Sequence, residues 1–223
     1  MRDKKILHVA GCDKFIPPYI KLINNKFDQD KHEFLLLSGI ADSEVAGIEN
    51  VNLSQKSFFS RLKHYVSLML KIHTADKVIL HSIFDIRVIL ILFVSPWLLG
   101  KCYWVIWGND LYVYKLGKRN FLWKMKEYFR RPVIKNMGHL VTYIDGDVAL
   151  ARKWYGAKGR YHECLMYTSN LYKELIVDEC EKSTINIQVG NSADPSNNHI
   201  EALEKLLPYK DENILIFVPL SYG

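Results

Sequence analysis

The chain has 223 residues, 49% of them hydrophobic and 24% charged, and a formal net charge of +6. That balance excludes a disordered tail, a fibre and a coiled coil, and the length suits one large domain or one and a half ordinary ones. Cys12, Cys102, Cys164 and Cys180 are scattered, with no C-x-x-C pair and no histidine at zinc spacing. Neither a disulfide framework nor a structural metal site is expected, and the chain reads as one kept in a reducing compartment.

The basic start MRDKK leads into a short apolar run that meets Cys12, Asp13 and Lys14, which is a first strand rather than a signal peptide. Strands are expected at 6–10 (ILHVA), 34–37 (FLLL), 51–53, 77–81 (KVILH), 102–107 (CYWVIW), 139–144 (HLVTYI) and 164–167. Between them, helical spacing covers 15–27, with Pro17-Pro18 tolerable only in its first turn, and 57–72, with Ser57 as its cap. Further helices are expected at 86–95 behind Asp85, from Asn120 onward, and over 147–155 before Gly156. The longest apolar run, VILILFV at 88–94, is far short of the roughly 20 residues that span a bilayer, so a soluble or peripheral protein is expected.

Strands alternating with helices imply βαβ units and a mostly parallel sheet with helices on both faces. Ligands of such sheets sit beyond the carboxyl ends of the strands. That rule singles out Gly11-Cys12-Asp13, His81-Ser82 and Gly108-Asn109-Asp110. Residues 168–183 read as a polar linker, after which the pattern restarts: strand 185–189, loop 190–194, helix 195–207, strand 214–218. One βαβ unit is not a domain, so the chain is expected to hold one full domain (1–178) and the opening of a second (179–223).

The loop GNSADPSNNH at 190–199 lies between a strand and a helix. Glycine allows close backbone approach and helix-start amides attract phosphate, but an ordinary capped turn fits the same residues. It is neither a P-loop nor a dinucleotide G-x-G-x-x-G. The stretch VGNSADPSNNHIEAL at 189–203, with WVIWGNDLY at 104–112 and VPLSYG at 218–223, resembles the bacterial 4-alpha-L-fucosyltransferase family. His8-Val9-Ala10-Gly11 and Gly146-Asp147 fit the same pattern.

The resemblance implies a GT-B-like α/β glycosyltransferase. A Rossmann-like N-terminal domain would serve the acceptor, and a second Rossmann-like domain, of which only the beginning is matched, would hold the donor. The family members are longer, so the rest of the donor site is expected beyond this sequence. The implied reaction moves 4-acetamido-4,6-dideoxygalactose (Fuc4NAc) from a TDP-sugar to an undecaprenyl-diphosphate-linked disaccharide, converting lipid II to lipid III in enterobacterial common antigen synthesis or a related polysaccharide pathway. No metal or other cofactor is implied.

By the same resemblance, Gly190, Asn191, Ser192, Ser196, Asn197 and His199 would line the donor diphosphate, with Tyr222 facing the same cleft. An acceptor hydroxyl attacking directly needs a base, and a carboxylate or histidine is the usual choice. Asp110 stands first, in the WGNDLY segment, followed by Asp13 and His81. Asp110 fits a turn cap equally well, and His81 a satisfied core histidine.

The stretch KRNFLWKMKEYFRRPVIK at 118–135 interleaves aromatic and basic residues. Such a helix suits an anionic membrane surface, a single-stranded nucleic acid, or a solvated basic face over an aromatic stripe. The membrane contact is expected through Trp123, Lys124, Arg130 and Arg131, with Trp97 adding a second one. No nucleic-acid motif accompanies the charge. These readings place the protein on the cytoplasmic face of the bacterial inner membrane. The rival is a non-catalytic fragment that binds a membrane surface or a lipid-linked glycan.

Overall fold

In the computed structural model the chain is described except for residues 1–3, 38–44, 46, 54–57, 117–118, 166–167, 175–183, 194–196 and 221–223, and the side chains of 58–61 and 116. The elements of the first part are β1 (Ile6–Ala10), α1 (Ile16–Lys26), β2 (His32–Leu36), β3 (Val51–Leu53), α2 (Phe58–Thr74), β4 (Lys77–His81) and α3 (Ile86–Val94). They continue with β5 (Cys102–Val105), α4 (Asn109–Leu116), α5 (Phe121–Lys135), β6 (His139–Thr142), α6 (Asp145–Tyr155) and β7 (Arg160–Glu163). Two compact units divide at Tyr172 and Lys173.

The first unit is a seven-stranded sheet in the order β3-β2-β1-β4-β5-β6-β7, every pairing parallel. That is the doubly wound order, in which strand succession reverses between β1 and β4. Parallel strands buried on both faces need continuous apolar runs, which ILHVA and KVILH supply.

One face packs Leu7, Val9, Val78, Leu80, Trp104 and Leu140 against Leu68 and Ile72 of α2, Ile89 and Leu92 of α3, Ile134 of α5 and Ala151 of α6. The opposite face packs Ala10, Phe34 and Leu36 against Ile16, Ile20 and Ile23 of α1. Burying side chains of this size stabilises by about 1.5–3 kcal/mol each, so the larger cluster anchors the sheet.

Local signals start and stop the helices as the sequence suggests. Pro17-Pro18 fall in the first turn of α1, Asp85 accepts from the Arg87 N–H at 2.8 Å to cap α3, and Asn120 accepts from the Trp123 N–H at 2.8 Å to cap α5. Two readings need correction, and one helix lies where none was assigned. Asn109–Leu116 forms α4, with Gly108 at φ 86° turning the chain into it. The last strand of the sheet is Arg160–Glu163, paired with β6, and lies ahead of the run assigned to it at 164–167. Within the supposed linker, Ser169–Leu171 forms a short 3-10 turn. The cap assigned to Ser57 lies outside the described residues.

The second unit, by itself, pairs β8 (Ile185–Gln188) in parallel with β9 (Ile214–Phe217), joined through α7 (His199–Leu206). The helix begins at His199, later than the expected 195, and Asn198 at its start takes a left-handed φ of 53° without a side-chain cap.

Candidate functional site

The order reversal makes the β1–β4 edge the place where loops leave in opposite directions and open a crevice. Ser82, directly after β4, has φ 78°, a left-handed conformation that costs a non-glycine residue about 1–3 kcal/mol and clusters at functional sites. Asp13, after β1, is exposed and accepts from the Phe15 N–H at 2.9 Å, fixing the turn into α1.

Asp110 is placed differently from a base open to a ligand. It is fully buried, and its Oδ2 accepts from the Trp104 Nε1–H at 2.6 Å and the Ile83 N–H at 3.1 Å. Its Oδ1 accepts from the Trp107 N–H at 3.1 Å. Burial pushes the carboxyl upward, while these donors and the nearby Arg130 pull it down. The carboxylate thus ties the ends of β4 and β5 to the start of α4. Arg130 donates to the Asp110 carbonyl, to Ile83 O at 3.1 Å, to Tyr155 Oη at 2.7 Å and to Glu127 Oε1 at 2.8 Å. Two further residues of matching segments also meet: Tyr112 donates to Asp147 at 2.6 Å, which pushes the phenol up to about 12.

His81 closes β4 on the face opposite the larger core cluster and walls a cavity of about 300 Å³. Phe15 and Tyr19 from the start of α1, Tyr103 and Val105 of β5, and Trp107 give that cavity an aromatic lining, and Cys164 and Leu165 border it after β7. His81 Nε2 lies 3.3 Å from His8 Nδ1, whereas its buried Nδ1 has no protein partner. Burial pushes the imidazole down to about 4, so it stays neutral at ordinary pH, with one nitrogen a free acceptor or donor. The Thr168 hydroxyl at the same cavity is likewise unpartnered.

In the second unit Gly190 has φ 71°, and a Cβ there would lie 2.3 Å from His199 Nε2. Asn197 donates from Nδ2 to Ser192 O and Oγ, each at 3.0 Å, so Gly190, Ser192, Asn197 and His199 form one folded loop. Asn191 is exposed beside it, and the buried His199 Nε2 has no hydrogen-bond partner. Ser196 and Tyr222 lie outside the described residues.

Helix α5 carries two faces. Arg130 is 3% exposed and belongs to the Asp110 network, which corrects its assignment to a membrane surface. Arg131 reaches Glu127 at 3.6 Å and lies 4.9 Å over the Tyr114 ring, and Trp123 Nε1 donates to Val113 O at 3.2 Å. Lys124 is exposed beside Phe121, Leu122, Met125 and Tyr128, the first 73% and the last 69% exposed. Val94 at the end of α3 and Trp97 just beyond it are also exposed, and α3 meets α5 through Phe93 and Phe129, ring centroids 5.1 Å apart. No described helix is long and apolar enough to cross a membrane. Among the described residues no group of His, Cys, Asp and Glu could hold a metal ion. Among the described residues, Cys12, Cys102 and Cys164 form no disulfide.

A doubly wound parallel sheet with a crevice at its reversal point and a cavity beside it defines a ligand-binding α/β protein. The chain belongs to the 4-alpha-L-fucosyltransferase family, glycosyl transferase group 56, which matches it over residues 8–223. It is a hexosyltransferase of that family. Among solved structures it is similar to the lipopolysaccharide outer core galactosyltransferase WaaB in its apo form, with a TM-score of 0.49 and 13% identity over 97% of this chain and 68% of that one.

Proposed function

We propose that this protein is a GT-B-type transferase that moves Fuc4NAc from a TDP-sugar to an undecaprenyl-diphosphate-linked disaccharide, at the cytoplasmic face of the inner membrane and without a metal ion. The observation that carries the reading is the family match, which runs through both the β1–β4 crevice and the Gly190–His199 loop. In this scheme His81 Nδ1 accepts the proton of the attacking hydroxyl, with Asp13 the second candidate on the same sheet edge. Asp110 positions the crevice without touching substrate. The loop of Gly190, Asn191, Ser192, Ser196, Asn197 and His199, with Tyr222, contacts the donor diphosphate through backbone amides and small polar side chains.

The membrane contact is made by Lys124 and Trp123 together with Phe121, Leu122, Met125, Tyr128, Val94 and Trp97, and Arg131 adds charge at its margin. Exposed aromatic and apolar side chains flanked by lysine favour the interface of an anionic bilayer.

Calorimetry with TDP and UDP in metal-free buffer tests the donor half. Selective TDP binding, weakened by Asn197→Ala, is expected, and equal affinity for the two nucleotides would overturn the TDP assignment. Transfer from TDP-Fuc4NAc to the lipid-linked acceptor tests the whole reading. No transfer, with transfer of another deoxy sugar, would contradict the substrate and keep the class.

A further inference from the structure

Three imidazoles cross the sheet diagonally at its reversal point. In the register of β2, β1 and β4, Ile6 pairs with His32 and Ala10 with His81, which leaves His8 between the two histidines. His8 Nδ1 is 3.3 Å from His81 Nε2, and His8 Nε2 is 2.9 Å from His32 Nδ1. Successive ring planes tilt by only 25° and 26°. His8 is fully buried and uses both nitrogens inside the row. The inner end, His81, walls the aromatic cavity, and the outer end, His32, borders a polar groove with Lys5, Asp30, Glu33, Glu49 and Lys71.

A neutral imidazole has one donor and one acceptor, so a row of three in contact has a single direction. If each ring carries its proton on Nε2, then His81 donates to His8, His8 donates to His32, and His81 Nδ1 is left as a bare lone pair. If each carries it on Nδ1, the direction reverses and His81 Nδ1 becomes a donor. Passage between the two arrangements moves one proton from the cavity to the groove without leaving a charge in the cavity.

We infer that His81, His8 and His32 form a proton path from the cavity to the outer groove. The path rests on the reading that His81 takes the acceptor's proton. The hydroxyl O–H bond breaks as its oxygen bonds to the sugar, and the proton goes to His81 Nδ1. The Nε2 proton of His81 passes to His8 Nδ1, the Nε2 proton of His8 to His32 Nδ1, and that of His32 to water. Each ring ends neutral, and rotation or reverse transfer resets the row.

The row answers a difficulty that His81 alone would face. Among the described residues that line the cavity none is acidic, so an imidazolium held there is costly. Burial pushes the His32 imidazole down, and Asp28, from the turn before β2, offsets part of that. Its groove holds Asp30, Glu33 and Glu49, opposed by Lys5 and Lys71, so the charge can appear there rather than in the cavity. The groups against the inner rings, Tyr19 of α1 and Phe34 of β2, are uncharged.

The test is long-range proton–nitrogen correlation on the full chain labelled with nitrogen-15 histidine, followed through the titration of His32. Protonating His32 fills its Nδ1, which forces His8 and then His81 to move their protons from Nε2 to Nδ1. The expected result is a tautomer change of neutral His81 that tracks the titration of His32 and is lost in His32→Gln. A His81 tautomer that stays constant while His32 titrates would overturn the path, and this measurement on the unmodified chain needs no variant to fold. Activity enters separately. If the tautomer change occurs but His81→Gln transfers sugar at the normal rate, the path stands and the catalytic reading of His81 fails.

Discussion

Asp110 and His81 lie at the carboxyl ends of neighbouring strands, yet their polar atoms are used in opposite ways. Asp110 sits in the conspicuous WGNDLY segment and spends its carboxylate on Trp104, Ile83 and Trp107. His81 sits in the plain strand KVILH and keeps one nitrogen unpartnered beside an aromatic cavity. A distinctive motif can mark a group that holds the architecture, while the group free to react is found by asking which buried polar atom lacks a partner.

The sharpest way to break this contrast is to remove the satisfied group. Asp110→Ala removes the acceptor of the buried Trp104 Nε1–H and Ile83 N–H and of the part-buried Trp107 N–H, and is expected to cost about 3–5 kcal/mol in urea unfolding. A loss below about 1 kcal/mol would show that the network is not holding the crevice.

Acid should expose the other side of the comparison. The folded value for His81 is depressed to about 4 from the ordinary 6.5, so its stabilisation is full above pH 6.5 and is lost as the pH falls toward 4. The group contributes about 3 kcal/mol over that window. His81→Gln should flatten the loss seen by urea unfolding between pH 7 and pH 4.5, and an unchanged slope would mean that the ring is not held neutral by burial.

Gly190→Ala is expected to cost about 1–3 kcal/mol in the second unit, through the positive φ and the contact with His199, with TDP binding weakened in parallel. Unchanged binding would separate the loop from the donor. The smallest stability effect belongs to the membrane face. Lys124→Glu should alter stability by no more than about 0.5 kcal/mol yet weaken sedimentation with anionic liposomes, whereas Arg130→Glu should unfold the first unit. Equal effects of the two on liposome binding, with both proteins folded, would remove the distinction between the faces of α5.

The inner strands of the parallel sheet were legible because each carries a short apolar run closed by a turn, and the caps Asp85 and Asn120 are local devices with local signals, whereas the edge strand β7 (RYHE) is polar and escaped that pattern. Helix α4 was hidden because it follows Gly108 at once and lacks an apolar stripe of its own. Arg130 could not be told from Lys124 or Arg131 by composition, because only the packing of α3, α5 and α6 decides which basic residue turns inward. The histidine row was equally invisible: His8, His32 and His81 are far apart in sequence, and only the register of β2, β1 and β4 brings their rings together.

The central claim, that His81 receives the proton of the attacking hydroxyl, is tested most directly by the turnover of His81→Gln at saturating donor and lipid-linked acceptor. The account predicts a fall in kcat of about 10²–10⁴-fold with the melting temperature and TDP affinity retained. Turnover equal to that of the unmodified chain would contradict it and transfer the role to Asp13.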